Sequence, residues 1–283
     1  MHRGKESKRN ELLQKLQSKI PEDLLSFVPQ HWWKIGDILI LTIPQQLMKF
    51  KEDIGEALLT LEQKPLRTVL GKVGPTKGIV RTPSFEYLAG DVNTETIHKE
   101  LGCKFKIDAA KLTFSPGNHG EREHLLKISK ENEFIIDMYS CVGNLSLPLA
   151  VHKAPEKIIA AEINPLAYKY LTENIILNNV ESVMKAVLGD NRVILKEFEG
   201  EANRVLSGYL NSDDEQLELA IRLCKDNGVI HYHEAVPLAD KENPIIKINR
   251  ILDKVGKDRK QITKRRVKKY SPGVEHIVYD IQI

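Results

Sequence analysis

The sequence predicts an α/β protein: a small α+β module followed by a larger doubly wound sheet that ends in an antiparallel hairpin. From about residue 119 onward, apolar strands alternate with helices, which indicates a parallel sheet covered on both faces. The last two predicted strands, 263–270 and 276–283, flank a turn so short that they must be antiparallel. A chain of 283 residues suits one large domain and a smaller one.

The N-terminal module, placed at residues 1–117, is predicted to contain short elements joined by Gly- and Pro-rich connections. Leu12, Leu13 and Leu16 share one face of a predicted helix over 5–19. A second helix is predicted over 45–61, and strands are predicted at 35–43, 68–73, 78–81, 85–90 and within 95–108.

The larger domain, placed at residues 118–283, repeats a helix and a strand. Helices are predicted at 119–130, 145–152, 165–177, 213–224 and 244–256, and strands at 134–137, 157–162, 185–188, 204–208 and 228–233. A doubly wound sheet with a terminal antiparallel hairpin is the Rossmann-like shape of the class I methyltransferase fold. This analogy concerns the fold alone and implies no reaction.

Composition argues against several classes of protein. With 41% hydrophobic and 29% charged residues the chain is an ordinary folded protein, and no apolar run approaches the roughly 20 residues that cross a bilayer. The first residues are polar and lack the apolar stretch of a signal peptide. Cys103, Cys141 and Cys224 lie far apart without CxxC spacing, which argues against disulfides and zinc. We therefore expect a cytoplasmic protein without a membrane segment or a metal.

The charge distribution is more informative than the net charge of +3. Residues 1–20 carry six basic residues against two acids, and residues 257–269 carry eight against one. Each cluster fits a phosphate-binding face, and each also fits a solvated surface whose acidic partners lie elsewhere in the sequence.

The strongest functional signal is a set of acids and amides at predicted strand ends, where open α/β sheets bind their ligands. The first strand ends at Asp137, and Gly143 lets the following loop approach a ligand before a helix begins. Glu162 ends the second strand and can accept both hydroxyls of a ribose. Asp190 and Asn191 follow the third strand and can together accept from and donate to an adenine.

These strand ends predict that the chain binds S-adenosylmethionine. The main alternative, a dinucleotide site, would require the pattern G-x-G-x-x-G after the first strand. The loop here has one glycine and starts from an acid, which suits an adenosyl amino acid without a pyrophosphate.

Two motifs resemble those of a known family. The run Asp137-Met-Tyr-Ser-Cys-Val-Gly143, and Ala161-Glu-Ile-Asn-Pro165 with Glu173-Asn-Ile-Ile-Leu-Asn178, are similar to those of archaeal and eukaryotic enzymes that modify the guanosine 3′ of the tRNA anticodon. One branch methylates ring nitrogen 1 of that guanine. The other is the wybutosine-pathway branch, which moves the 3-amino-3-carboxypropyl group of S-adenosylmethionine onto 4-demethylwyosine. This chain departs from both at Ser140-Cys141, where the family usually has Ala-Gly.

Three segments resemble the transferase branch. Leu206-Ser-Gly-Tyr-Leu210 stands where the methylating branch has Asn-Pro-Pro-Tyr or a close variant. Phe114-Ser-Pro-Gly-Asn118-His-Gly-Glu-Arg122 is similar to the transferases' Phe-Ser-x-Gly-Asn-x-x-Glu-Arg. The third comprises Gly228 to Glu234 together with Lys269 to Val274. The resemblance runs from about residue 68 to the C-terminus.

The resemblance implies that Ser115, Arg122, Glu162, Asp190 and Asn191 bind the cofactor. Arg122 would hold its carboxylate with a bidentate fork, and Ser115 would bond beside it. From the residues alone, Arg122 is better explained as a helix-surface arginine that pairs with a neighbouring glutamate.

Asn118, Tyr209 and His233 are candidates for positioning the substrate base, and the sequence shows no general base. Tyr209 either stacks on a tricyclic base or packs as an ordinary aromatic residue. For His231 and His233 we favour a polar strand end near the base over a metal site, because no third ligand of suitable spacing follows.

The leading hypothesis is transfer of the aminocarboxypropyl group to carbon 7 of 4-demethylwyosine, next to the anticodon of tRNA-Phe. The base would be flipped out of the loop, and the basic clusters and the N-terminal module would hold the tRNA. The alternatives are guanine-N1 methylation of the same nucleotide and a catalytically dead RNA-binding module. The oligomeric state stays open, with a monomer expected.

Overall fold

The structure is a computed structural model that describes residues 3–61, 66–210, 212–239 and 243–283. The chain divides into two compact units. The first comprises Met1–Lys99 and Lys106–Pro116, and the second comprises Glu100–Phe105 and Gly117–Ile283. This division differs from the predicted boundary after residue 117 mainly at residues 100–105, which belong to the second unit.

In the first unit, one helix packs on a four-stranded sheet and a second helix packs on the first. The helices and strands are α1 Arg3–Leu16, β1 Trp32–Ile35, β2 Ile38–Thr42, α2 Lys51–Leu61, β3 Thr68–Lys77 and β4 Thr82–Gly90. The strand order is β1-β2-β3-β4, with β2 and β3 parallel and the other pairs antiparallel. Leu12, Leu16, Leu39, Ile54 and Leu58 lie in its core, where α1 packs on α2 and α2 packs on β3 and β4.

Two predictions in this unit were wrong. Residues 78–81 form a turn and no strand, because Gly78 (φ +68°) and Arg81 (φ +53°) are both left-handed and the Arg81 N–H donates to the Gly78 carbonyl at 3.1 Å. The run 35–43 is two strands, since Gly36 (φ +56°) turns the chain between β1 and β2. The predicted helix over 45–61 begins as a 3₁₀ segment, Gln45–Phe50.

A two-stranded hairpin follows, formed by β5 Glu95–Glu100 and β6 Cys103–Asp108. Its tip belongs to the second unit. There, the Lys104 N–H donates to Asn178 Oδ1 at 2.8 Å, and Asn178 Nδ2 donates to the Lys104 carbonyl at 2.7 Å. These bonds hold the hairpin tip, which includes Glu100, within the second unit. Glu100 is the partner of Arg122.

The second unit contains a seven-stranded sheet in the order β12-β13-β11-β10-β7-β8-β9. Strands β7 to β11 are parallel, and β13 runs antiparallel to both β11 and β12. Its elements are α3 His119–Ile128, β7 Phe134–Asp137, α4 Ser146–His152, β8 Lys157–Glu162, α5 Pro165–Leu177, β9 Met184–Leu188, α6 Asn191–Ile194, β10 Ala202–Ser207, α7 Asp214–Leu223, β11 Cys224–Pro237, α8 Asn243–Val255, β12 Gln261–Ser271 and β13 Val274–Gln282. The predicted doubly wound sheet with its terminal hairpin is confirmed.

Strand β11 is longer than predicted. It continues to Pro237 because it pairs with β13 from Val229 onward, residue against residue. His233 therefore lies inside the strand with 1% of its surface exposed, and the prediction of a polar strand end at His231 and His233 was wrong.

Candidate cofactor site

Asp137 ends β7 and anchors the loop that follows it. The Ser146 hydroxyl donates to its Oδ2 at 2.7 Å, and the Tyr139 N–H donates to its Oδ1 at 3.2 Å. Burial raises the pKa of Asp137 to about 6, against these hydrogen bonds, which lower it. The carboxylate thus joins both ends of the loop between β7 and α4 and fixes its shape.

Two residues of that loop have a left-handed backbone conformation. Cys141 has φ +51° and Gly143 has φ +94°. A Cβ atom added to Gly143 would lie 3.0 Å from Leu147 Cβ, so this glycine also allows close packing of α4. Cys141 therefore holds a left-handed backbone conformation that is strained for a residue with a side chain.

Glu162 ends β8 and reaches the same loop. Its Oε2 accepts from the Cys141 N–H at 2.7 Å, and its Oε1 accepts from the Asn164 N–H at 2.8 Å. Burial raises the pKa of the Glu162 carboxyl above its usual value. The carboxylate keeps acceptor capacity at each oxygen, which is what two adjacent ribose hydroxyls require.

Asp190 and Asn191 differ in their surroundings. Asp190 caps α6 by accepting from the Arg192 N–H at 2.9 Å, and the Arg192 guanidinium holds the pKa of this carboxyl below its usual range. Asn191 is buried, and its Nδ2 donates to the Met138 carbonyl at 3.1 Å.

The Asn191 Oδ1 atom is buried without a hydrogen-bond partner in the described part of the chain. An unpaired buried amide oxygen costs about 1–3 kcal/mol, so a ligand donor such as an adenine amino group would stabilise the site. Asn191 therefore fits the predicted cofactor.

Arg122 is 1% exposed, and its Nε donates to Glu100 Oε1 at the hairpin tip. It is thus no surface arginine, and its partner lies 22 positions away in sequence. Ser115 belongs to the first unit, whereas Arg122 belongs to the second. Asn118 immediately precedes α3, and its Oδ1 accepts from Lys268 Nζ at 2.6 Å.

Tyr209 lies beyond β10 beside Tyr139, with ring centroids 5.3 Å apart and ring planes tilted by 36°. The Ser212 hydroxyl donates to the Tyr209 carbonyl at 3.0 Å, and Lys247 Nζ donates to the Ser212 carbonyl at 3.0 Å. The second tyrosine was missed by the sequence reasoning, because Tyr139 stands inside the cofactor motif and was assigned no separate role.

His233 lies in a buried polar layer between α3 and the sheet. Its Nδ1 is 3.0 Å from His276 Nε2, and its Nε2 is 3.8 Å from Glu121 Oε1. Burial lowers the pKa of both histidines to about 3, so they stay neutral near pH 7.

Arg265 joins this layer to the hairpin strands. Its guanidinium donates to Glu121 at 2.8 and 3.1 Å and to Asp280 Oδ2 at 2.8 Å. Asp280 Oδ1 lies 2.6 Å from His231 Nδ1. Burial acts to raise the pKa of Asp280, but the hydrogen bonds to His231 and Arg265 hold it well below its usual range. No group of three or more potential metal ligands occurs among the described residues.

Part of the basic cluster at 257–269 is ion-paired within the protein. Lys257 lies 2.7 Å from Asp226, Arg266 pairs with Glu275, and Arg265 is the partner of Glu121 and Asp280. Lys264 and Lys269 make no ion pair with any residue that the structure describes. The charge count of this cluster therefore overstates its phosphate-binding capacity.

Comparison with known proteins decides the family. The TRM5/TYW2 methyltransferase domain matches residues 96–261, and the TYW2 N-terminal domain matches residues 12–94. The chain belongs to the TRM5/TYW2 family. This membership confirms the predicted resemblance.

Within the TRM5/TYW2 family, the chain is 39% identical to the tRNA(Phe) (4-demethylwyosine(37)-C(7)) aminocarboxypropyltransferase of Pyrococcus horikoshii, over 95% of this chain and 94% of that protein. It is 36% identical to the tRNA (guanine(37)-N(1))-methyltransferase Trm5b of Pyrococcus abyssi, over 93% of this chain and 78% of that protein. The crystal structure of P. horikoshii TYW2 in complex with MeSAdo superimposes with a TM-score of 0.81 at 36% identity, over 97% of this chain and 98% of that chain. The predicted class I methyltransferase fold is thereby confirmed.

Proposed function

We propose that this chain is an S-adenosylmethionine-dependent transferase that moves the 3-amino-3-carboxypropyl group to carbon 7 of 4-demethylwyosine, next to the anticodon of tRNA-Phe. The observation that carries the proposal is the 39% identity to an aminocarboxypropyltransferase over almost the whole length of both chains. The match of residues 12–94 to the TYW2 N-terminal domain supports the same branch of the family.

The described side chains support a division of labour at the cofactor. Asp137 fixes the loop, Glu162 accepts from the ribose, and Asn191 accepts from the adenine through its unpaired Oδ1. Asp190 lies beside Asn191 and completes the adenine edge. Gly143 keeps the loop close to the ligand.

The amino-acid end of the cofactor needs separate binding groups. Its sulfonium activates the adjoining carbon of the aminocarboxypropyl chain, and orientation decides which carbon meets the nucleophile. We assign Arg122 to the carboxylate at that end. The ion pair with Glu100 orients the guanidinium of Arg122 in a buried environment.

Tyr209 and Tyr139 are the best-placed aromatic residues to stack on the flipped base. Asn118 remains a candidate for contacting the substrate. His233 is a support for α3 in this proposal, because its burial against His276 removes it from direct contact with a base.

The tRNA would be held by exposed cations and by the N-terminal module. We further propose that the protein acts as a monomer in the cytoplasm. No helix of the described chain is long and apolar enough to cross a membrane.

Mass spectrometry of tRNA-Phe tests the proposal. The protein, S-adenosylmethionine and tRNA-Phe carrying 4-demethylwyosine should yield an adduct with the mass of one aminocarboxypropyl group, together with 5′-methylthioadenosine. Gain of a methyl mass alone would contradict it.

Guanine-N1 methylation is the second candidate, because the Pyrococcus abyssi methyltransferase is nearly as similar to this chain. An unmodified tRNA transcript separates the two, since it offers guanine and lacks the tricyclic base. We expect no reaction with that transcript. Failure of the protein to bind S-adenosylmethionine in calorimetry would instead support a catalytically dead RNA-binding module.

A further inference from the structure

Two cations, Lys268 and Arg122, lie near the start of α3. Lys268 Nζ donates to Asn118 Oδ1 at 2.6 Å, and Asn118 immediately precedes the helix that carries Arg122. Arg122 is buried and Lys268 is half-buried. Burial first, and then the positive charge of Arg122, lower the pKa of Lys268 to about 8.

The strand register places Lys268 at the ligand-binding edge of the sheet. Lys268 pairs with His276, and His276 pairs with Ala235 on β11. Ala235 lies three residues beyond Tyr232, which is level with Ser207 at the end of β10. The carboxyl ends of the parallel strands, including Asp137, lie along this same edge, where open α/β sheets bind ligands.

Asn118 is used in an unusual way. Asparagine immediately before a helix usually caps it, but the Asn118 side chain makes no capping bond to α3. Its Oδ1 accepts from Lys268 instead. The side chain therefore serves to hold the ammonium group beside Arg122 and adds no capping bond to the helix.

The charges at this place suit a single carboxylate. Arg122 and Lys268 are positive, and Glu100 offsets one of these charges through its bond to Arg122. A guanidinium supplies a fork and an ammonium supplies a point charge, and together they bind a carboxylate from two directions.

We propose that Lys268 is a cofactor-binding residue that holds, with Arg122, the carboxylate at the amino-acid end of S-adenosylmethionine. The inference rests on the proposed placement of that end at Arg122. A carboxylate held at two points keeps the aminocarboxypropyl chain in one orientation, and this orientation selects the carbon that is presented to the base.

Calorimetry with two ligands tests the role of Lys268. S-adenosylmethionine carries the carboxylate, whereas 5′-methylthioadenosine has the same adenosine and lacks the whole aminocarboxypropyl group. In the full-length protein, Lys268→Met should lower the affinity for S-adenosylmethionine about tenfold or more, as expected for a lost charge-assisted hydrogen bond. The affinity for 5′-methylthioadenosine should be unchanged.

Lys264→Met is the matched control, because Lys264 lies on the same strand and is exposed. It should leave both affinities as in the unchanged protein. Lys268→Gln removes the positive charge but keeps a polar side chain. This variant replaces Lys268→Met in the experiment if the methionine variant does not fold. Lys268→Arg should retain part of the affinity for S-adenosylmethionine.

Three outcomes would overturn the assignment. Equal losses for both ligands would mean that Lys268 only supports the structure. Unchanged affinity for S-adenosylmethionine would remove it from the site. A loss confined to tRNA-Phe binding would make it a phosphate contact. These measurements need no turnover, so they stand whether the group transferred to tRNA is aminocarboxypropyl or methyl.

Discussion

Arg265 on β12 donates two hydrogen bonds to Glu121 on α3, at 2.8 and 3.1 Å, and the glutamate side chain is completely buried. This pair ties the terminal hairpin to the helix that carries Arg122, the next residue along the chain. The same guanidinium also donates to Asp280, so one side chain bridges two carboxylates between α3 and the sheet.

Loss of this arginine should therefore be costly. Arg265→Met would leave Glu121 buried without its cation, and we expect a loss of about 3 kcal/mol in the free energy of unfolding, measured with urea. Arg266→Met is the matched control, because Arg266 is 57% exposed and pairs only at the surface with Glu275. That change should cost less than about 1 kcal/mol. If Arg265→Met lowered the free energy of unfolding no more than Arg266→Met does, the buried pair would add no more stability than the surface pair.

The neutral histidine pair predicts a pH dependence of stability. Burial lowers the pKa of His276 and His233 to about 3, below the value near 6.5 of an unfolded chain. The unfolded state therefore takes up protons first as the pH falls. The stability contribution is complete above about pH 6.5 and is lost progressively as the pH falls from there toward 3.

His276→Gln tests this dependence. As the pH falls from about 7.5 to about 5, each such histidine should lower the free energy of unfolding by about 2 kcal/mol. The same change in pH should therefore destabilise His276→Gln by about 2 kcal/mol less than the unchanged protein. His31→Gln is the control, because His31 is exposed. An identical pH dependence for His276→Gln and the unchanged protein would refute the prediction.

If Glu162 binds the ribose, its substitution should affect the affinities for the two ligands differently from substitution of Lys268. Glu162→Gln should weaken S-adenosylmethionine and 5′-methylthioadenosine together, each about tenfold or more, because both carry the ribose and both lose a charge-assisted acceptor. Calorimetry with the two ligands checks this. Glu156→Gln, at an exposed position just before β8, should change neither affinity. A loss for only one ligand would place Glu162 elsewhere.

The internal pairing of residues 257–269 predicts a modest salt dependence of tRNA binding from this cluster. Changing both Lys264 and Lys269 to alanine should reduce the slope of log affinity against log salt by about 2, since each phosphate contact contributes just under one. Lys257→Ala should leave the slope unchanged, because Lys257 is bound to Asp226. A slope change from Lys257 as large as that from the lysine pair would contradict this account.

The position of these acids along one edge of the sheet could be predicted because it depends on local order in the chain. Asp137 and Glu162 end strands and Asp190 follows one, and parallel strands bring their carboxyl ends together whatever the details of packing. The distinction between Asp190, which caps α6, and Asn191, whose Oδ1 is buried, required the structure.

The buried polar layer could not be predicted from the sequence. Arg265 and Glu121 are 144 positions apart, and each stands in a stretch of charged residues typical of a surface. Their burial depends on the register between β12 and β13 and on the placement of α3 over both strands. The length of β11 was missed for the same reason, since the residues after His233 owe their strand conformation to pairing with β13.

Cys141, which has a left-handed backbone conformation, places a thiol that can be labelled on the loop between β7 and α4. Cys103 and Cys224 are buried, and burial raises the pKa of their thiols to about 11 and about 12, so neither reacts readily with an alkylating reagent. Cys141 is partly exposed, and its backbone N–H donates to Glu162, the residue that we propose binds the ribose. A thiol-specific dye would therefore label the protein at one place, and the rate of labelling would report on occupancy of the loop without any engineered residue.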